Sequence, residues 1–389
     1  MEAIIGGSLS KWDAPFRPNK TTAHIPAFDQ LSTVHSFTCN AFNRMIHFQS
    51  QRSSRLTQIY RNVKVCASAS EQKSPLSEVQ SSGLRVPFEL GDRQFRMFHI
   101  LPSGLKMEVI MQRGVKENND RKSPIVFVHG SFHAAWCWAV HWLPFFSEAG
   151  HDCHAISLLG QGESDVPLGS VAGTLQTHAR DIAHFIKYEV GVPPILVGHS
   201  FGGLIVQFYL SYININRSFK EFGGLEEPYP NLAAAVLVCS VPPTGNSGLV
   251  WRYLLSKPLA AFKVTLSLAA KAFATSVSLC RETFFSRDIP DLQVERYQEL
   301  LKSSSVVPLF DLRKLNASLP VPPPPKGAPP ILVMGAADDF IVDAQGLMET
   351  AKFFNVAPVI VEGIAHDMML DTSWKRGSGV LLSWLGSIY

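Results

Sequence analysis

A serine, an aspartate pair and a histidine, the three residue types that together carry out acyl transfer, occur in the order Ser200, Asp338/Asp339, His366. A serine hydroxyl is a poor nucleophile until a base takes its proton. His366 can be that base, and can later return the proton to the leaving group. An aspartate holding the other imidazole N–H fixes the tautomer and stabilises the imidazolium. Each of the three follows a short apolar run, residues 194–197, 331–334 and 358–361. Such runs read as buried parallel strands, whose following loops open on one edge of a sheet. The three side chains can therefore meet although 166 residues separate the first from the last.

The serine stands in Gly198-His199-Ser200-Phe201-Gly202-Gly203, ahead of an apolar stretch (204–210) suited to a buried helix. A Gly-x-Ser-x-Gly turn between strand and helix puts the serine in a strained backbone region. Side chains at the flanking glycines would collide with strand and helix. The turn also points the unpaired N–H groups of the helix at whatever the serine attacks. A second landmark follows the apolar run 124–128: His129-Gly130-Ser131-Phe132-His133-Ala134-Ala135-Trp136-Cys137-Trp138. There the backbone N–H of Ser131, paired with that of Phe201, would form an oxyanion hole. His129 reads as a fastener of its own loop, and His199 as a side chain packed beside the sheet. Asp367 is a weaker acid candidate, because adjacency to His366 points the two side chains apart. The histidines match no metal-ligand spacing, so neither a metal nor another cofactor is expected.

The elements that must position these groups follow in order. Residues 1–70 lack periodicity, are rich in Ser, Thr, Asn, Gln and Arg, and are poor in acid. That is the composition of an organelle transit peptide, and the small residues near 63–69 suggest a chloroplast cut; a mitochondrial address fits less well. Residues 1–66 carry eight basic and three acidic side chains, leaving a net −2 for the rest of a chain whose total is +3. The body is thus near neutral and offers no basic patch for nucleic acid. No run of eighteen apolar residues occurs, so no transmembrane segment is expected, while peripheral membrane contact is compatible with the sequence. The six cysteines form no CxxC pair, and the four in the body read as buried thiols.

An edge hairpin (96–100 and 106–111) leads into core strands, with Thr174 and Asp343 as helix N-caps. The glycines of Gly160-Gln161-Gly162 are expected near the nucleophile's helix. Between core strands 6 and 7, residues 244–330 break the strand–helix rhythm, with helices expected near 249–255, 259–279 and 292–301 and a proline-rich return. This insertion reads as a helical cap on a core made of residues 94–243 and 331–389. Its apolar side chains (Trp251, Tyr253, Leu254, Phe262, Phe273, Phe284, Phe285) would form the cap's own core or line a pocket.

Taken together, His129-Gly130, Gly160-x-Gly162-x-Ser164, the serine turn, Gly335…Asp339 and Gly363…His366-Asp367 resemble the α/β-hydrolase fold superfamily over residues 94–389. The resemblance implies a mostly parallel, doubly wound α/β sheet and the triad Ser200, Asp339 and His366. Asp339 is preferred to Asp338 because it precedes a β-branched residue by three, the family's usual pattern. The stretch here is one residue longer than the commonest Gly-x-x-Asp form, so Asp338 stays open. The implied activity is hydrolysis of a small, hydrophobic carboxylic ester, lipid-like or aromatic. Thioesterase or hydroxynitrile-lyase chemistry on the same triad, or a ligand receptor of this fold, are the alternatives. The stretch 129–138 is similar to that of plant methylesterases and hydroxynitrile lyases, although the long insertion departs from them.

Overall fold

Short runs of Val, Ile, Leu and Ala pair into one eight-stranded sheet in the order β1-β2-β4-β3-β5-β6-β7-β8. The strands are β1 (Gln94–Ile100), β2 (Lys106–Gln112), β3 (Ile125–Val128), β4 (Cys153–Ile156), β5 (Ile195–His199), β6 (Ala234–Val238), β7 (Ile331–Ala336) and β8 (Pro358–Val361). The computed structural model describes residues 83–115, 122–213, 228–248, 252, 255 and 258–388. All belong to one compact unit, Lys64–Tyr389. The expected leader, its cut, Cys39 and Cys66 lie outside the described residues, as does most of the helix expected near 249–255.

β1 and β2 form the expected antiparallel hairpin, β2 joins β4 antiparallel, and β4 through β8 run parallel. Along β3 to β7 the side chains alternate between two buried clusters; β8, at the sheet edge, leaves Ile360 47% exposed, so the run 358–361 is not the fully buried strand expected. Ile125, Phe127, Ile195, Val197, Val236 and Val238 face one, and Val126, Val128, Leu196, Ala235 and Leu237 face the other. A strand buried on both faces needs helices on both, which is why these runs are apolar without a polar alternate.

Those helices begin with α1 (Trp136–Ala139), α2 (Trp142–Glu148), α3 (Leu175–Phe185) and α4 (Phe201–Ser211). Between β6 and β7 stand α5 (Pro258–Ala269), α6 (Val277–Phe284), α7 (Asp291–Ser304) and α8 (Leu312–Ala317). After β7 come α9 (Ala344–Phe353) and α10 (Trp374–Ile388). Thr174 caps α3 in a capping box with Thr177, and Asp343 caps α9 by accepting from the Gly346 N–H.

The long helix expected over 259–279 is in fact two. α5 stops at Ala269, Lys271 takes a left-handed backbone (φ 52°), and a short 3-10 turn leads to Ser276, which caps α6 through the Leu279 N–H. The Thr275-Ser276 side chains offer the backbone local hydrogen bonds that compete with helix, and the reversal buries Phe273. α8 was not expected; Asp311 caps it by accepting from the Arg313 and Lys314 N–H groups. Phe273, Phe284 and Phe285 join the sheet's own buried cluster, so they are not the core of a separate layer. Phe262 is 66% exposed, which contradicts a place in any cap core. Trp251, Tyr253 and Leu254 lie outside the described residues.

The insertion is fastened to loops at the carboxyl ends of three strands. The Trp136 indole N–H donates to Ser304 Oγ at 2.7 Å, the Gly162 N–H to the Ser304 carbonyl at 2.8 Å, and the Asp367 N–H to the Phe284 carbonyl at 2.9 Å. Gly160 and Gly162 do not lie against the nucleophile's helix as expected. A Cβ on Gly160 would meet Val307, and one on Gly162 would meet the Glu108 carboxylate at 2.4 Å. Glu108, buried, pairs with Arg96 Nε at 2.6 Å and accepts from Ser157 Oγ and the Glu163 N–H. Gly162 thus makes room for the Glu108 carboxylate, whose ion pair joins β1 to β2 and whose accepted hydrogen bonds tie β2 to the loop after β4. The four described cysteines are buried and unpaired, as free thiols.

Candidate active site

β5 runs straight into α4, and the junction is too sharp for ordinary backbone. Ser200 sits there at φ 54°, ψ −120°, with its N–H donating to the Val238 carbonyl and its own carbonyl accepting from the Gly203 and Leu204 N–H groups. That conformation is costly for a residue with a Cβ and persists only where its surroundings fix it. The neighbouring glycines have a direct steric reason. A Cβ on Gly198 would lie 2.6 Å from the Gly202 carbonyl oxygen, and one on Gly202 would lie 2.4 Å from that of His129. Replacing Gly202 with Ala should therefore cost about 2–3 kcal/mol or more, because the obstacle is backbone and cannot swing aside. A urea midpoint well below wild type, with reduced turnover, is the expected result.

The loop after β8 delivers His366, and the loop after β7 delivers the acid. His366 Nδ1 lies 2.8 and 3.0 Å from the two carboxylate oxygens of Asp339. Asp339 Oδ1 also accepts from the Ile341 and Val342 N–H groups, both at 2.8 Å, so the carboxylate is held from two sides. Asp338 is exposed, and its N–H is used in holding the Ile364 carbonyl. Of the two aspartates left open by the sequence, Asp339 is the one brought to the imidazole. With Nδ1 donating to Asp339, the neutral ring carries its lone pair on Nε2. Burial alone would push the imidazole down, but Asp339 by charge and hydrogen bond, with a further charge contribution from Asp367, raises it above the ordinary 6.5. Beside this pair, Cys239 stands just past β6 at φ 45°. Burial first, then the Asp339 charge, pushes its thiol well above the ordinary range, so it stays protonated.

The third loop, after β3, lies against the serine: a Cβ on Gly130 would sit 2.8 Å from Ser200 Cβ. Among the described residues, neither the Ser131 nor the Phe201 N–H donates in a backbone hydrogen bond of a turn or loop. His129 fastens this loop, donating from Nδ1 to the Gly130 carbonyl (2.7 Å) and accepting the Leu158 N–H at Nε2 (3.0 Å). Burial drives its pKa to about 3, so it stays neutral. His199 is more than a packing residue. Its Nε2 donates to the His366 carbonyl at 3.0 Å, and the two rings stand 4.7 Å apart. Sequence reasoning also missed His133, whose Nε2 lies 2.8 Å from Asp367 Oδ2 across 234 residues of chain. No short motif could have announced that pair. Two overlapping sets of possible metal ligands occur here, His199/His366/Asp367 and Cys239/Asp339/His366. Both include His366, so an ion held there would take the candidate base's imidazole.

Residues 125–376 match the Alpha/beta hydrolase family, more than half of the chain. The chain belongs to that family. Among curated relatives it is similar to norfluorocurarine synthase 1 of Strychnos nux-vomica, 31% identical over 131 residues, covering 32% of this chain and 41% of that protein. It is also similar to putative methylesterase 11, chloroplastic, of Arabidopsis thaliana, 29% identical over 105 residues, 27% of this chain and 26% of the relative. The chain thus matches less than half the length of these two relatives. Among solved structures, a putative aryl esterase from Burkholderia cenocepacia superposes with a TM-score of 0.53 at 20% identity, over 76% of this chain and 99% of the other. At that identity the superposition speaks for the α/β-hydrolase fold alone. No helix among the described residues is long and apolar enough to cross a membrane.

Proposed function

We propose that this α/β hydrolase is a serine esterase that works through an acyl-enzyme. Ser200 is the nucleophile, His366 the general base and then acid, and Asp339 the residue that holds the imidazole. The observation that carries the reading is the buried Asp339–His366 contact at 2.8 Å, which leaves Nε2 as the basic nitrogen. The strained Ser200 backbone supports it, since that strain presents the hydroxyl at the carboxyl end of the sheet.

In the first half-reaction Nε2 takes the Ser200 proton as Oγ attacks the ester carbonyl. The Ser131 and Phe201 N–H groups receive the oxyanion, and the imidazolium gives its proton to the departing alcohol. Water, activated by the same nitrogen, then releases the acid. The insertion 244–330 acts as a helical cap, and its fastening to the loops after β3, β4 and β8 supports that placement. A largely apolar neighbourhood (Phe132, Phe273, Phe284) favours a small hydrophobic ester, lipid-like or aromatic. The methylesterase relative described as chloroplastic and the acid-poor leader support residence in a plastid. A series of p-nitrophenyl esters of rising acyl length should show turnover with a preferred apolar acyl group. A strict preference for short polar esters would overturn the substrate class.

A further inference from the structure

We propose that His133 and Asp367 form a buried positioning pair that holds the oxyanion loop and the base loop in register. The inference rests on the serine-esterase reading and adds two residues that never touch the substrate. His133 lies in the loop after β3, two residues from the Ser131 donor, and Asp367 directly follows the base His366. His133 Nδ1 stands 2.7 Å from the Ser131 carbonyl, and Nε2 stands 2.8 Å from Asp367 Oδ2. Both partners are hydrogen-bond acceptors. The pair must therefore hold two protons, one on Nδ1 toward Ser131 and one between Nε2 and the carboxylate. A neutral imidazole facing an ionised aspartate could make only one of the two bonds.

The other Asp367 oxygen, Oδ1, is buried without a hydrogen-bond partner and lies 3.8 Å from His199 Nε2, the group that donates to the His366 carbonyl. His133, His199 and Asp367 come from the ends of β3, β5 and β8, the three strands whose loops carry the oxyanion donor, the nucleophile and the base. Each is at most 1% exposed. Trp136 stacks on the His133 ring while Phe284 and His199 meet it edge-on, so the ring cannot rotate away. The Asp367 N–H is fixed on the Phe284 carbonyl as well. Stability alone does not explain such a pair, because buried ion pairs are no more stabilising than well-packed apolar side chains. What the pair does supply is a rigid link between Ser131 and His366 that no apolar substitute would make, with the Asp367 carboxylate within 4.8 Å of the His366 ring. The groups facing His366 are Asp339, Asp367, His199 and Cys239.

The test compares wild type with His133→Gln, which keeps a donor toward Asp367 but loses the Ser131 bond, with His133→Asn, which does the reverse, and with Asp367→Asn. His133→Gln should lower kcat about 100-fold, the scale of losing one oxyanion donor, with KM changed less than about threefold. His133→Asn, which severs the same link at its Asp367 end, should lose kcat by a comparable factor. Asp367→Asn should move the acid limb of kcat/KM to lower pH, because a charge that favours the imidazolium is gone. A merely structural pair would lower the melting temperature and leave kcat and the acid limb at their wild-type values; folded variants behaving that way overturn the proposal. Should the variants fail to fold, wild type alone decides by proton NMR. The downfield N–H resonance that His133 shares with Asp367 should shift when a trifluoromethyl ketone occupies Ser200, and an unmoved resonance overturns the proposal. A wild-type chain that neither turns over esters nor binds the ketone removes the esterase reading and this pair together. Active wild type with indifferent variants removes the pair alone.

Discussion

Replacing Ser200 with alanine should lower kcat for every ester the wild type accepts by on the order of 10^6-fold, the scale seen when a serine nucleophile is removed from a working triad. Without Oγ there is no acyl-enzyme, and only the oxyanion donors and binding contacts remain to assist water. The fold should survive. Alanine at φ 54° carries the same Cβ strain that serine already bears, and Ser200 contributes backbone bonds that alanine keeps. A melting temperature within a few degrees of wild type, with turnover gone, is therefore the expected pairing. Full turnover in this variant would mean that the chemistry lies elsewhere.

The second large effect concerns the acid. Asp339→Asn should lower kcat by about 10^4-fold, because the amide can present an N–H to His366 Nδ1 and so favour the wrong tautomer. The ring would then carry its proton on Nε2, where the serine needs a base. Asp338→Asn, on an exposed side chain, should stay within a few-fold of wild type. The pH profile separates these cases further. A protonated His366 cannot take the serine proton, so activity falls as pH drops through its pKa, which is raised above 6.5. The wild-type acid limb is expected above that value, and removal of the Asp339 charge should bring it down. An acid limb at or below 6.5 in wild type would contradict the Asp339–His366 coupling.

The sheet and the placement of the candidate groups are legible in the sequence where local rules decide them. Gly198 is demanded by the Gly202 carbonyl four residues on and Gly202 by the His129 carbonyl after β3, both within the strand–turn–helix pattern, and the β3 to β7 runs are apolar on both faces because helices cover both. Thr174 and Asp343 announced their helices through side chains that bond the first turn. The order of Ser200, Asp339 and His366 needed only the rule that parallel strands open on one edge. What escaped was whatever depends on distant chain. The break of the insertion at Lys271 follows from packing that buries Phe273 in the sheet's cluster, which no periodicity in 259–279 reveals. Gly162 reads as a turn residue, but its reason is the Glu108 carboxylate on another strand. Asp367 was expected to point away from His366; its carboxylate bonds His133, yet it still lies within 4.8 Å of the His366 ring. Its partner could not be read because 234 residues intervene and neither side chain belongs to a recognisable spacing.

The most direct measurement is the mass of the intact chain after brief exposure to a fluorophosphonate, followed by peptide mapping. Only a serine activated by a working base attacks such a reagent quickly, displacing fluoride and keeping the phosphonyl group. A single adduct on the peptide containing Ser200, formed much more slowly when His366 is replaced by alanine, is the predicted result. No adduct on a folded chain, or an adduct on any other residue, would contradict Ser200 as the nucleophile.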